Sequence, residues 1–319
     1  MDALFHKFVG MRALQFTEYG PADLLHVAEV EEPRAGPGRI RIAVRASGVT
    51  PGDTYLRSGM FGERLPLPHV PGVDAAGVVD EVGEGVTGVG VGDEVFGMVD
   101  LTLLGGANAE FAVLAAWAPR PASWSWEQAG GAAANAETAT RALDLLGVRD
   151  GMTVLIAGAA GGVGTVAIQL ATARGAKVIG TAGPGTQNFV GSLGAIPVIY
   201  GEGLVDRVGA AGAGVGRGGV VDAVLHCAGP VPDLISLAGS PDRVVTIADL
   251  SGEHGIRLTH TAGGPGADPQ ALHGLAIAAE LAERGAFTVP LAGVFPLAQG
   301  ADAHRLSETG HAHGKIVLV

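Results

Sequence analysis

The chain has 319 residues, 47% of them hydrophobic, a net charge of −12 and one cysteine, Cys227. That length exceeds the usual single domain, and the apolar fraction is enough for sizeable cores. Only three lysines occur, which disfavours nucleic acid and anionic membranes as partners; the lone cysteine excludes an internal disulfide and a multi-thiolate zinc cage.

No apolar run approaches the length of a membrane span, and the expected location is a reducing cytoplasm. Residues 1–10 carry one Lys, no long apolar core and no small-residue cleavage pattern, so they read as an extension and not as a secretory signal. Met11 opens MRALQF, a first strand. Short β-like runs follow at 27–29, 39–46, 75–82, 94–98 and 110–114, broken by Gly, Pro and Asp. From 128 to 146 small apolar residues take on helical periodicity. Residues 151–250 then alternate helices with strands at 152–157, 176–181, 196–200, 220–227 and 243–248, which predicts a parallel, doubly wound sheet of an α/β protein. The run GAAGAGVGRGG at 209–219 reads as a flexible loop within that sheet domain. A helix is expected at 269–284, with Leu272, Leu275, Ala276, Ala279 and Leu281 packing. A helix near 297–308 and a strand at 315–319 close the chain.

The most informative stretch is MTVLIAGAAGGVGTVAIQLATAR at 152–174. A buried strand ends at Ala157. A turn carrying Gly158, Gly161, Gly162 and Gly164 follows, then Val163, Val166, Ala167, Leu170 and Ala171 at helical spacing. Strand, glycine turn and helix in that order make a dinucleotide site, because glycines let backbone approach a pyrophosphate and the helix N-terminus offers it free N–H groups. The pattern is A-x-G-x-x-G, with Ala159 in place of the first glycine.

Four stretches, SGVTPGDTYLRSG (47–59), PHVPGVDAAGVVDEVGEGV (68–86), AGAAGGVGTVAIQLA (157–171) and GHAHGKIVLV (310–319), carry a family resemblance. The chain resembles the medium-chain dehydrogenase/reductase superfamily, in its zinc-free quinone oxidoreductase (zeta-crystallin-like) branch. The resemblance implies a GroES-like β-rich catalytic domain, at 11–127 and 285–319, and a Rossmann nucleotide-binding domain at 128–284. It also implies a homodimer. Zinc-dependent members place a cysteine at Thr50 and a Gly-His-Glu motif at 71–73. Their absence, with His69 read as structural, predicts no metal, and His304, His311 and His313 read as surface or packing residues. What remains is hydride transfer from a reduced nicotinamide to a quinone or an α,β-unsaturated carbonyl.

The resemblance carries cofactor contacts onto Ala160, Gly161, Gly162, Val163 and Gly164 at the pyrophosphate. It carries Thr181, Ala182 and Gly183 to the adenosine ribose, and Thr138, Cys227, Ala228, Ile247 and Ala248 to the nicotinamide. Lys315 is either a cofactor contact or an ordinary solvated lysine. No Asp or Glu follows the strand ending near Thr181, so the acid that would hold an NAD ribose is missing and NADPH is expected, although no 2′-phosphate clamp is visible. Thr50 replaces the family's asparagine, and Phe61 replaces a tyrosine used by related enoyl reductases. Tyr55 is the hydroxyl left for the substrate, or else a packing ring. Asp53 is expected to cap a helix at 54–58, and Arg57 is read either way. Met60, Phe61 and Leu101, with Leu56, 101–104, Phe111 and 253–265, are expected to line the substrate pocket. Two other readings stay open: an enoyl reductase of a fatty-acid or polyketide pathway, and a non-catalytic NADPH-binding protein.

Overall fold

A computed structural model describes residues 10–212, 220–261 and 266–319. The extension expected at 1–10 lies outside the described residues apart from Gly10. In order the strands are β1 (Gly10–Gln15), β2 (His26–Glu31), β3 (Ile40–Val49), β4 (Asp74–Val82), β5 (Glu94–Val99), β6 (Phe111–Pro119), β7 (Thr153–Ala157), β8 (Lys177–Ala182), β9 (Ile196–Ile199), β10 (Ala223–His226), β11 (Val244–Thr246), β12 (Arg257–Leu258), β13 (Leu291–Phe295) and β14 (Lys315–Leu318). The helices are α1 (Pro51–Ser58), α2 (Trp126–Gly130), α3 (Ala133–Leu145), α4 (Gly162–Ala173), α5 (Gln187–Ser192), α6 (Leu204–Gly212), α7 (Val231–Ala238), α8 (His273–Glu283) and α9 (Gly300–Glu308). The chain divides into two compact units, one reaching to Ala134 and resuming at Leu291–Val319, the other Asn135–Pro290.

The first unit is built on a sheet ordered β13-β14-β3-β4-β5-β6. An additional pairing of β3 with β6, from Ile40 opposite Leu114 to Ala43 opposite Phe111, closes four of these strands on themselves. Closure leaves one interior, filled by Ile40, Ile42, Val79, Val95, Ala112 and Leu114. The second unit has the parallel sheet that the alternation of elements predicts, ordered β12-β11-β10-β7-β8-β9. The chain starts at β7, winds outward to β9, then crosses back to β10, so the switch point lies between β7 and β10. Both central strands are fully buried, which is why they read as unbroken apolar runs.

Two expectations change. Residues 209–212 belong to α6, where Val208 and Gly212 are buried, and the remainder of the expected loop, 213–219, lies outside the described residues. In α8 the packing face is Gly274, Leu275, Ala278 and Ala282, while Leu272 is exposed. Gly274 sits so close to Thr140 of α3 that a Cβ would stand 2.3 Å from its Oγ1. The smallest residue thus selects the contact face, which a hydrophobic count misses.

Two buried polar groups in the first unit mark its interior. Lys315 on β14 is 4% exposed, and its Nζ lies 3.2 Å from Oδ2 of Asp74, which is fully buried at the start of β4 and also accepts the Ala134 N–H. Taking one partner away strands a charge in the core. Lys315→Met should cost about 3–5 kcal/mol, read as a lowered denaturant midpoint, and adding Asp74→Asn should recover much of it. An unchanged midpoint for the single variant would mean that the two groups are not an ion pair in the fold.

His304 on α9 is fully buried with neither ring nitrogen hydrogen-bonded among the described residues. Burial, then the Arg57 charge, push it down to about 3 from 6.5, so it is neutral in the fold. Between those values the unfolded chain binds the extra proton, so stability rises with pH there and falls on acidification below about 6.5. The slope is up to about 1.4 kcal/mol per pH unit. Urea melts from pH 7 to 4 should be flatter for His304→Gln, and equal slopes would remove His304 from the account.

Candidate functional site

The turn after β7 is shaped by lack of space. Gly158 has φ +84°, and a Cβ there would meet the Ala228 Cβ at 2.9 Å, because the turns after β7 and β10 run past each other at the switch point. Gly164, in the first turn of α4, is pressed against the same loop: its Cβ would stand 2.3 Å from the Gly158 carbonyl oxygen. At the crest the opposite holds. Gly161 has φ −78°, and a Cβ there would meet nothing nearer than the Gly158 oxygen at 3.5 Å. Gly161 caps α4 with no side-chain hydrogen bond, so no capping side chain takes the first N–H groups of this 12-residue helix. Backbone donors, the positive end of a helix dipole and an empty crest fit a pyrophosphate. Ala160 and Val163 stand beside this crest, and Ala159, at the variant position, is fully buried.

Thr181, to which the resemblance assigns a ribose contact, braces the glycine turn. It is buried; its hydroxyl accepts the Gly158 N–H at 3.0 Å and its carbonyl accepts the Ala159 N–H at 3.0 Å, which pins the glycine turn to β8. The chain beyond β8, Ala182 and Gly183, has its carbonyls held by Gln187 Nε2 at 2.8 and 3.1 Å. Tyr200, not singled out from the sequence, stands over this end: a Cβ on Gly183 would lie 3.5 Å from its hydroxyl. It follows a strand that pairs with β8 far from it in sequence, so no local pattern marked it.

Beyond β10 and β11 an open cavity of about 510 Å³ is lined by His226, Ala228, Gly229, Pro230, Val231, Pro232, Ala248, Asp249 and His254. The Thr246 hydroxyl accepts the N–H groups of Ala248, 3.0 Å, and Asp249, 2.8 Å, and lies 2.8 Å from His226 Nδ1. With both lone pairs used, its proton points at Nδ1, so His226 is the Nε2–H tautomer and donates to the Gly229 carbonyl at 3.0 Å. Burial lowers its pKa below the usual histidine value and keeps it neutral. Ile247 donates its N–H to the His226 carbonyl at 3.0 Å, which ties the two strand ends together. Cys227 is half-buried with its thiol pushed up to about 12 by desolvation, so it holds no thiolate.

Thr138 on α3 is half-buried and donates to Glu137 Oε2 at 3.2 Å. Glu137 and Arg141, 1% and 5% exposed, pair at 2.8 Å and brace the Ala271 N–H and the Thr259 hydroxyl. The sequence reading passed over this pair.

In the first unit Thr50 caps α1: its hydroxyl lies 2.7 Å from Asp53 Oδ2 and accepts the Asp53 N–H, while Asp53 also accepts the Gly72 N–H. The helix therefore starts at Pro51, earlier than expected, with Asp53 as its reciprocal partner. The Tyr55 ring stands edge-on to Phe61, centroids 5.7 Å apart, and its hydroxyl has no partner among the described residues. Met60 and Leu103 are exposed, and Leu101 is partly so. Arg57 is fully buried on the Gly20 carbonyl and Glu308, a fold contact. His69 Nε2 braces the Leu104 carbonyl at 3.1 Å, and His311 and His313 are exposed. Lys315 is held on Asp74 and is not a solvated lysine. Of the 253–265 segment, 262–265 lie outside the described residues.

Gly161→Ala separates binding from folding. The backbone accepts alanine, so thermal stability should stay within about 0.5 kcal/mol. The methyl fills the crest, and the dinucleotide Kd by calorimetry should rise about tenfold or more. Unchanged affinity would move the pyrophosphate elsewhere.

The profile described as "Alcohol dehydrogenase GroES-like domain" matches residues 36–123, and that described as "Zinc-binding dehydrogenase" matches 193–318. A quinone oxidoreductase of Rattus norvegicus is 38% identical over 177 residues, 54% of this chain and 53% of that one. The 2-methylene-furan-3-one reductase of Solanum lycopersicum is 36% identical over 197 residues, 58% of this chain and 50% of that one. The chain thus spans about half the length of these curated relatives. The structure of the quinone oxidoreductase from Coxiella burnetii superposes with a TM-score of 0.82 at 26% identity, over 97% of this chain and 99% of that one. No helix among the described residues is long and apolar enough to cross a membrane. With a GroES-like unit, a Rossmann-type parallel-sheet unit and these matches, the chain belongs to the medium-chain dehydrogenase/reductase superfamily, whose quinone oxidoreductases use a nicotinamide cofactor.

Proposed function

We propose that the protein is an NADPH-dependent, zinc-independent oxidoreductase that reduces quinones or α,β-unsaturated carbonyls. The observation that carries this reading is the open crest over α4 followed by a β8 end with no acidic side chain. A carboxylate there would bind the 2′-hydroxyl of NADH and repel a 2′-phosphate; its absence removes that penalty. The names of the relatives, a quinone oxidoreductase and an enone-type reductase, support the acceptor class. Zinc independence is supported by the donor set, since the Thr50 hydroxyl is spent on Asp53, the His69 Nε2 on Leu104, and the one thiol stays protonated.

In this reading Ala160, Gly161, Gly162, Val163 and Gly164 hold the pyrophosphate through backbone N–H groups, and Ala182 and Gly183 border the ribose. Ala228 and Ala248, with Cys227 and Ile247, present backbone to the nicotinamide from the ends of β10 and β11, and Thr138 approaches the nicotinamide. Reduced nicotinamide supplies a hydride to an electron-poor carbon or oxygen. Tyr55 offers a free phenol to the acceptor oxygen, and Thr50 fixes the start of the helix that carries it. Met60, Phe61 and Leu101 supply an apolar wall that excludes water from a flat acceptor.

The test follows loss of reduced-nicotinamide absorbance with a small quinone, a polycyclic ortho-quinone, an aliphatic enone and an enoyl thioester. NADPH should exceed NADH by about tenfold or more in kcat/KM. Equal or reversed preference overturns the cofactor assignment, and no oxidation of either cofactor overturns the activity in favour of a binding protein. Tyr55→Phe should lower kcat by about tenfold or more with NADPH affinity unchanged. Full activity in that variant removes Tyr55 from the chemistry.

A further inference from the structure

Two histidines border the cavity at the ends of β10 and β11, and their hydrogen bonds give them opposite capacities. His226 has nothing to give. Its Nδ1 accepts from Thr246, its Nε2–H is held by the Gly229 carbonyl, and moving either proton would release the turn that carries Ala248 and Asp249. His254 is arranged otherwise. Its Nδ1 lies 3.2 Å from Asp249 Oδ2. The Ser251 hydroxyl, 2.6 Å, and the Ser251 N–H, 3.0 Å, bind Asp249 Oδ1. Those two bonds hold the Asp249 carboxyl below the usual carboxylate range, so it is ionised at neutral pH. An ionised acceptor fixes the proton on Nδ1 and sets the ring plane. Nε2 then remains, without a partner among the described residues, on a side chain 34% exposed at the wall of the cavity.

We propose that Asp249 and His254 form a proton-delivering pair for the acceptor reduced at this cavity, His254 as the catalytic acid and Asp249 as its positioning residue. The proposal rests on the reductase reading given above. An enone gains a hydride at its β carbon, which brings both electrons, and then one proton, while the reduced nicotinamide is oxidised by loss of that hydride. The new C–H bond forms as the alkene π pair shifts toward the carbonyl oxygen. When both ring nitrogens of His254 carry protons, the Nε2–H bond breaks as a C–H bond forms at the α carbon of the resulting enolate, leaving neutral imidazole. Solvent returns the proton through the exposed edge of the ring. Among the described residues, the titratable groups facing His254 are Asp249, from its own turn, and His226, from β10, which stays neutral. A quinone differs, because the oxygen of a reduced quinone takes its proton readily from water. This pair therefore matters most for activated alkenes.

The experiment compares wild type, His254→Gln and Asp249→Asn as full-length protein, with NADPH and either 3-penten-2-one or 1,4-benzoquinone. NADPH affinity is measured separately by fluorescence titration. His254→Gln should lose roughly 10²-fold in enone kcat, flatten the pH profile of that rate and regain rate with added imidazole. NADPH affinity and quinone kcat should change by less than about threefold. Asp249→Asn should keep NADPH affinity and shift the pH profile. Enone kcat and pH profile equal to wild type in both variants overturn the pair and leave the reductase intact. Equal losses in enone and quinone turnover together with NADPH affinity show a structural role and overturn it as well. A wild type inert toward both acceptors overturns the reductase reading on which the pair rests.

Discussion

The constraint on which the second unit depends is the crossing of two turns at the middle of its sheet. β7 and β10 are neighbours in the sheet but far apart in sequence, so the chain leaving each must diverge within a few residues. Space at that point is so short that Gly158 would strike Ala228 with any side chain, and Gly164 would strike the Gly158 carbonyl. Thr181 then spends its hydroxyl and its carbonyl on the two N–H groups of the turn. A backbone held this way keeps a fixed concavity ahead of a helix N-terminus, which is what an anionic ligand requires.

The same economy appears at the ends of β10 and β11. A single hydroxyl, that of Thr246, takes two backbone N–H groups and gives its proton to His226. The side-chain polar atoms of Thr246 and His226 all have partners, so the turn bearing Ala248 and Asp249 is set by hydrogen bonds and not by packing alone. The tautomer of His226 follows from that count, and with it the contrast between a histidine that builds the site and one that faces it.

The first unit depends on closure of strands β3 to β6, and its buried charges sit outside that closed interior. Asp74 and Lys315 neutralise each other where β4 and β14 flank β3. Thr50 and Asp53 cap each other, which explains why the position where zinc-dependent relatives carry a thiolate here serves helix initiation. The ring of Tyr55, one turn further on, packs edge-on to Phe61, and its hydroxyl has no partner among the described residues.

The chain by itself determined the elements that repeat a period or a turn chemistry. The parallel sheet was legible from apolar runs alternating with helical spacing, the glycine turn ahead of α4 from glycines between a strand and a helix, and the superfamily from four short stretches. These signals are local, because strand burial, a tight turn and a helix cap are decided by neighbouring residues. Only the tertiary structure decided the hydrogen-bond partners of Thr181, Lys315, His226 and His254. Each depends on a partner reached through the fold: Gly158 from β8, Asp74 from β14, Thr246 from β10, and Asp249 across a turn. The face of α8 and the helical state of 209–212 belong to the same class, since a glycine that permits close approach carries no apolar signal until its neighbour is known.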